Sequence, residues 1–402
     1  MNDYQNLVVI DLEKDDDAQE IFETLNALGT PLLPADLVKN FLFRLAEIQG
    51  ENLEKLYRRY WDTFDSEKSY WREEVRQGRL KRARLDLFLN HYLTMMKGEE
   101  VIISQMFLDY KDLVLSKNGA PATEHMKHFR SYADVYEAFD SFPPDVREGL
   151  FFDRLNQMDI STVYSLLLEV FKRYPTTNRY PELEQILADL ESFFVRRTVC
   201  GLTPKNYNRF FAQLVMRLRS DNNDFSPGAV RKQLMAETAE TQRWPDDAEF
   251  RNAWMNIDFY RRVKKATQRM ILEAIESALH TGKTEKVKIE RNLTIEHLLP
   301  VDWEEHWPLT VRDDTMQAQE QAVERRNASI HKIGNLTLLT RKLNPSVSNG
   351  PWVKKRQAIL KHSALNLNRV LQDTETWNEA AIERRSMELL QVALKLWSHP
   401  GS

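Results

Sequence analysis

Ser329-Ile330-His331-Lys332-Ile333-Gly334-Asn335-Leu336-Thr337-Leu338-Leu339-Thr340-Arg341-Lys342-Leu343-Asn344 lies within a run, Arg325 to Gln372, that holds no carboxylate at all. At the chain's average of 60 Asp and Glu in 402 residues, a window of that length would hold about seven. It carries instead Arg325, Arg326, Lys332, Arg341, Lys342, Lys354, Lys355, Arg356, Lys361 and Arg369. Surface helices ordinarily mix both signs of charge, so a basic field of this length suits a surface for phosphates. Working outward, residues 336–340 predict a short strand opened by Asn335 just after Gly334. Residues 294–298 predict a second strand, ending near Glu296-His297 with Pro300 soon after. A helix is predicted near 351–361, with Asn344 or Asn349 as its start, and an insert over 301–326 is predicted to hold a helix around 315–325.

This strand-strand-helix unit gathers a carboxylate, an imidazole and two amides: Glu296, His297, Asn335 and Asn344. Phosphodiester hydrolysis needs an activated water, a cation on the scissile phosphate and stabilisation of the leaving oxygen. A histidine near its ordinary pKa can take the proton from water. One hard divalent ion, held by a carboxylate and an amide oxygen, can serve the other two needs, because Mg²⁺ keeps waters and phosphate oxygens in its shell. The basic run would hold flanking phosphates without reading sequence.

The string Glu-His-x-x-Pro, then His-x-x-Gly-Asn-Leu-Thr-Leu-Leu, then Asn, resembles the HNH (ββα-metal) nuclease domain of GmrSD-like type IV restriction enzymes, over residues 286–361. The resemblance implies His297 as general base, Glu296 and Asn344 as ligands of Mg²⁺ or Mn²⁺, and Asn335 as a brace for the base-bearing loop. It places His331 at a phosphate or the metal and makes Lys355 a phosphate contact. Lys332, Arg341, Lys342, Lys354 and Arg356 complete the expected nucleic-acid surface. On this reading the imidazole at 297 and the amide at 344 converge on one cation. Two departures stand out: Glu precedes the base where many such nucleases have Asp, and Asn344 precedes Pro345, which disfavours helical geometry there.

A second resemblance covers the front. Residues 21–40 resemble the tail of a GmrS-type N-terminal domain, and Val195 to Gly201 with Tyr207 to Phe211 resemble its helical extension. That family domain carries an Asp-Gly-Gln-Gln-Arg motif for nucleotide binding and hydrolysis. This sequence has no such string, and no P-loop. A nucleotide-binding domain or partner subunit is therefore expected elsewhere.

Composition bounds the rest. The net charge of −4 excludes a generic polycation, and the single Cys200 excludes a disulfide framework and a cysteine zinc site within one chain. Few Gly and Pro, and no apolar run of about 18 residues, argue for a mainly helical chain without a membrane span. A cytoplasmic setting is expected. The expected architecture is a multi-helical body with a small C-terminal ββα-metal unit embedded in helices. Its divisions are 1–50 (the incomplete GmrS-type tail), 51–245 (helical) and 246–402 (nuclease with flanking helices).

A lone strand is predicted over 7–12 and another over 287–289. Helices are predicted over 18–28, from Pro34, and over 79–96, 161–174, 182–199, 204–218, 259–279 and 377–397. Arg196 and Arg197 are read as pairing between helices rather than facing DNA. Trp303 and Trp307 are read as packing anchors, and the remaining histidines show no ligand spacing. The functional expectation is a metal-dependent DNA endonuclease of a phage-defence, modification-dependent restriction system. The alternatives are a non-catalytic DNA-binding adaptor of such a system and a nuclease directed at RNA.

Overall fold

The computed structural model describes residues 33–66, 69–77, 80–117, 119–175, 180–280, 293–309, 315–344 and 349–401. The predicted strands at 7–12 and 287–289, the helix at 18–28 and most of the GmrS-like tail lie outside these residues. The described chain is mainly helical, with two small antiparallel ribbons. It divides into two compact units, Met1–Glu137 and Ala138–Ser402.

In the first unit, helix α1 (Pro34–Ile48) starts on a proline, whose fixed φ suits the first helical turn, and buries Ala35, Val38, Leu42 and Ala46. Strands β1 (Glu74–Gln77) and β2 (Leu80–Ala83) pair from Glu74↔Ala83 to Gln77↔Leu80. Helix α2 (Arg84–Lys97) follows directly. Within the predicted helix over 79–96, residues 80–83 are thus a strand, and Lys81 and Arg82 belong to the hairpin. Helices α3 (Met106–Leu115) and α4 (Ala122–Phe139) come next; α4 reaches two residues past the division. An aromatic core of Trp61, Phe64, Trp71, Phe88 and Phe129 joins the unit, with Trp61 stacked on Phe129 at 5.8 Å between centroids.

In the second unit, α5 (Arg147–Met158), α6 (Tyr164–Arg173), α7 (Pro181–Val199), α8 (Tyr207–Ser220) and α9 (Pro227–Met235) precede α10 (Asp247–Asn256) and α11 (Lys265–Leu279). The predicted helix over 259–279 is broken: a short helix, Phe259–Arg262, ends at Val263, and α11 begins at Lys265. Gln268, fully buried, fixes that break by donating its amide to the carbonyls of Phe259, Tyr260 and Val263. Arg196 and Arg197 are both buried. Arg196 pairs with Asp247 and donates to the carbonyls of Trp397 and Pro245. Arg197 binds the Tyr207 hydroxyl and four carbonyls, from Thr203, Glu240, Thr241 and Arg243. Both are structural, though Arg197 serves backbone oxygens and not carboxylates.

Strand β3 (Leu293–His297) pairs antiparallel with β4 (Leu336–Thr340), in the register Leu293↔Thr340, Ile295↔Leu338, His297↔Leu336. Between them α12 (Met316–Ile330) starts on Thr315, whose hydroxyl accepts from the amide of Ala318. Helix α13 (Trp352–His362) starts after Pro351, so neither Asn344 nor Asn349 caps it. Helix α14 (Glu379–Leu396) is capped by Asn378. Leu336, Thr337, Leu338 and Leu339 are all buried, so both faces of β4 are covered, whereas Thr294, Ile295 and Glu296 of β3 are half-buried. Leu339 joins Trp303, Trp307, Trp352, Ile359, Trp377 and Ile382 in one core cluster, so both insert tryptophans are anchors.

Candidate active site at the end of the second ribbon

Side chains alternate along a strand. Thr294 and Glu296 therefore leave β3 on one face, and Ile295 and His297 on the other. The amide of Asn344 donates to Thr294 Oγ1 at 2.9 Å and to the Ile295 carbonyl at 3.3 Å, which sets it on the face that carries Glu296. Across the strand, His297 Nε2 lies 3.2 Å from His331 Nδ1 at the end of α12. The structure thus groups Glu296 with Asn344, and His297 with His331, so the imidazole at 297 and the amide at 344 lie on opposite faces of β3 and not in the convergent arrangement expected from the sequence.

The histidine pair has a third member that no motif in the sequence singles out. Tyr260, on the short helix before α11, presents its ring 4.3 Å from that of His297 and stacks on His331 at 5.6 Å with a 13° interplanar angle. The Tyr260 amide donates to the His331 carbonyl at 3.1 Å, which fixes that juxtaposition through the backbone. His297 is 9% exposed. Burial, followed by the nearby His331 and Lys355, pushes its pKa down to about 3. His331 is lowered by burial and by Arg261, against the pull of Asp258. Both rings are neutral near pH 7, with one donating and the other accepting across the contact.

Asn335 holds the loop that carries His297. It is completely buried. Its Oδ1 accepts from the Leu299 amide at 2.8 Å and from Trp377 Nε1 at 3.0 Å. Its Nδ2 donates to the carbonyls of Leu299 and Ile330, each at 2.8 Å. Asn335 therefore ties the chain after β3 to the chain after α12, and it acts through position. Arg385 of α14, fully buried, adds bonds to the carbonyls of Gly334 and Leu336 at 2.7 Å each, and burial draws its pKa down to about 10.

Several expected phosphate contacts have other partners. Lys355 does not face solvent: it is buried, and its ammonium donates to Glu296 Oε1 at 2.5 Å and to the His297 carbonyl at 2.6 Å. Arg356 binds the carbonyls of Leu371 and Gln372, and thereby fastens α13 to the segment that follows it. His331 is nearly buried against His297 and Tyr260. Arg326 is likewise buried, against Glu379 and the Trp307 carbonyl. Exposed within the run are Arg325, Arg341, Lys342, Lys354, Lys361 and Arg369, with Lys332 half-buried.

Glu296 and Asn344 offer a carboxylate and an amide oxygen, the donor chemistry that a hard divalent ion takes. Among the described residues no three His, Cys, Asp or Glu side chains cluster as a metal site, so the donor set is sparse. The Lys355 ammonium already neutralises the carboxylate, and an incoming cation would have to share or displace it. Burial raises the Glu296 pKa and lowers that of Lys355, and in each case pairing opposes the shift without cancelling it.

A small ribbon, walled by helices and ending on a histidine pair, is the frame in which the sequence relationship falls. Residues 244–392 match the family of GmrSD restriction endonucleases, C-terminal domain. The match spans a little over a third of the chain, and it is this segment that is similar to that family. No curated protein matches the chain. No helix among the described residues is long and apolar enough to cross a membrane.

Proposed function

We propose that the protein is an HNH-type DNA endonuclease of a modification-dependent restriction system, with His297 as the general base. The observation that carries the reading is the placement of His297 at the end of β3, against His331 and Tyr260 and beside the chain that Asn335 clamps. Burial holds the pKa of this ring at about 3, below the ordinary value that the sequence reading assumed, so the role of base requires that bound phosphate raise it; the His331 contact would then give the proton a second place to reside. Tyr260 and Asn335 fix the ring's orientation, which matters because a small misplacement of a catalytic group costs large factors in rate. Glu296 and Asn344 would hold Mg²⁺ or Mn²⁺, which when bound supplies positive charge to the scissile phosphate and the leaving oxygen. DNA carrying foreign modifications is the proposed substrate, and a nucleotide-binding domain or subunit is the proposed partner.

The test is plasmid nicking by the full chain with Mg²⁺ or Mn²⁺, on unmodified and modified DNA, comparing the parent with His297→Ala and Asn344→Ala. Loss of cleavage in both variants, with binding retained, supports the reading. Cleavage at the parental rate by His297→Ala overturns the assignment of the base. DNA binding without cleavage under any metal favours the adaptor reading, to which the neutralised Glu296 lends a specific argument. Preferential cutting of single-stranded RNA would move the substrate class.

A further inference from the structure

The acid-free run is not the only basic feature at the histidine pair. The chain reads Asp258-Phe259-Tyr260-Arg261-Arg262-Val263-Lys264-Lys265, with four cations in five consecutive positions. These cations lie far upstream of the acid-free run, yet the fold brings their segment to the site. Tyr260, next in sequence to Arg261, is bonded to His331 and packed on both histidine rings. Gln268 fastens the carbonyls of residues 259, 260 and 263 to α11, so the segment is rigidly placed. Arg261, Arg262, Lys264 and Lys265 are all exposed. The charge of Arg261 is felt at the ring of His331.

We infer that Arg261, Arg262, Lys264 and Lys265 form a phosphate-tracking strip that seats the DNA backbone beside His297 and His331, with Tyr260 as the strut that ties the strip to the pair. This rests on the nuclease reading for the identity of the polymer. The existing acidic partners do not oppose it. Arg261 lies 3.7 Å from Asp258, and Lys264 lies 2.8 Å from Asp159, with the cationic side chains about two-thirds exposed. Surface pairs of this kind contribute little and exchange readily for a polyanion that releases condensed counterions. The Tyr260 ring is already engaged, by His331, by His297 and by Lys265 at 5.8 Å. The tyrosine therefore positions the strip and is not assigned to stack on a base.

The experiment uses the full chain in a His297→Ala background, so that DNA is bound and not cut. Fluorescence anisotropy on a labelled duplex of about 25 base pairs, between 50 and 200 mM salt, gives the slope of log K against log salt. That slope changes by about 0.9 for each phosphate that the protein ceases to neutralise. Replacing Arg261, Arg262, Lys264 and Lys265 together by Ser is expected to make the slope shallower by about 2 or more and to weaken binding at least about tenfold near 100 mM. The charge-preserving set Arg261→Lys, Arg262→Lys, Lys264→Arg and Lys265→Arg is expected to restore parental behaviour, which separates an effect of charge from a failure to fold. An unchanged slope with affinity within about twofold of the parent overturns the inference, as does a parent that binds no DNA. Cleavage by the chain with native His297, measured separately, decides the nuclease reading. A shallower slope in the absence of cleavage would leave the strip standing and the nuclease reading refuted.

Discussion

Replacing Lys355 by Met tests the physical account of the site most directly. The ammonium is wholly buried and donates to Glu296 Oε1 and the His297 carbonyl, while the Glu296 side chain is 13% exposed. Removing one partner of a buried pair leaves an uncompensated charge, at a cost of about 3–5 kcal/mol; the residual exposure of Glu296 puts the expectation near the lower end, about 3 kcal/mol. The sign with pH follows from Glu296. Its folded-state pKa is already raised by burial, and losing Lys355 raises it further. A carboxyl with a raised folded pKa costs nothing while protonated in both states, below its ordinary 4.5, and the penalty grows as pH climbs from there through the folded value. Lys355→Met is therefore expected to be nearly parental near pH 4 and about 3 kcal/mol less stable near pH 8.

Adding Glu296→Gln removes the stranded charge. The double variant is expected to regain most of the loss, because an uncharged pair of similar volume is often neutral or stabilising. Urea melts at the two pH values for the parent, both single variants and the double variant complete the cycle. If the double variant is no more stable than Lys355→Met at pH 8, the charge argument fails and the loss is one of packing.

Asn335→Ala orphans two donors and two acceptors in a fully buried position, at about 1–3 kcal/mol per unsatisfied group before relaxation; urea denaturation is expected to show a loss of about 3–5 kcal/mol, and a loss below about 1 kcal/mol would remove Asn335 as the clamp. A Cβ at Gly334 would land on the Ile382 carbonyl and the Ser386 hydroxyl of α14, so Gly334→Ala is expected to lower the melting temperature steeply, whereas Gly228→Ala, in open space, is not. His297, with its pKa lowered to about 3, is a base whose folded form resists protonation. Stability is present above the ordinary 6.5 and declines as pH falls toward 3, by up to about 1.4 kcal/mol per unit. His297→Gln is expected to flatten the acid side of the stability curve between pH 6 and 4, and an unaltered curve there would contradict the buried neutral state. For the same reason the nicking rate is not expected to fall through His297 protonation between pH 8 and 6.

Residues 336–340 form β4 over the predicted span, and β3, read from the alternation at 294–298, is displaced from it by a single residue. Thr315 starts α12 because a hydroxyl before a helical stretch caps it wherever the chain places it. These are local signals. The failures are non-local. The hairpin at β1 and β2 has only four residues per strand, and Leu-Lys-Arg-Ala before a strong helix looks like that helix's first turn. A lysine in a basic run ordinarily faces water, which is why position 355 reads as a phosphate contact. Only the fold reveals that Glu296 and the His297 carbonyl sit where its stem ends. Tyr260 has no motif around it. The four cations that follow it are a usable signal, but nothing in sequence spacing ties it to His297 and His331.

Helix α14 touches two distant places at once. Along its length Ile382, Arg385 and Ser386 grip the Gly334–Leu336 turn, and the Gly334 amide is bonded to Ser386 Oγ. Just past its end, the Trp397 indole donates to Glu191, and the carbonyls of Trp397 and Ser398 accept from Arg196 and Ser192, all on α7. Eighteen helical residues make a rod of about 27 Å, stiff on that scale. A tilt imposed at α7 would thus be felt at the turn that seats Asn335, and through it at the imidazole of His297. One helix therefore links α7 to the histidine pair without a side chain of α7 reaching it.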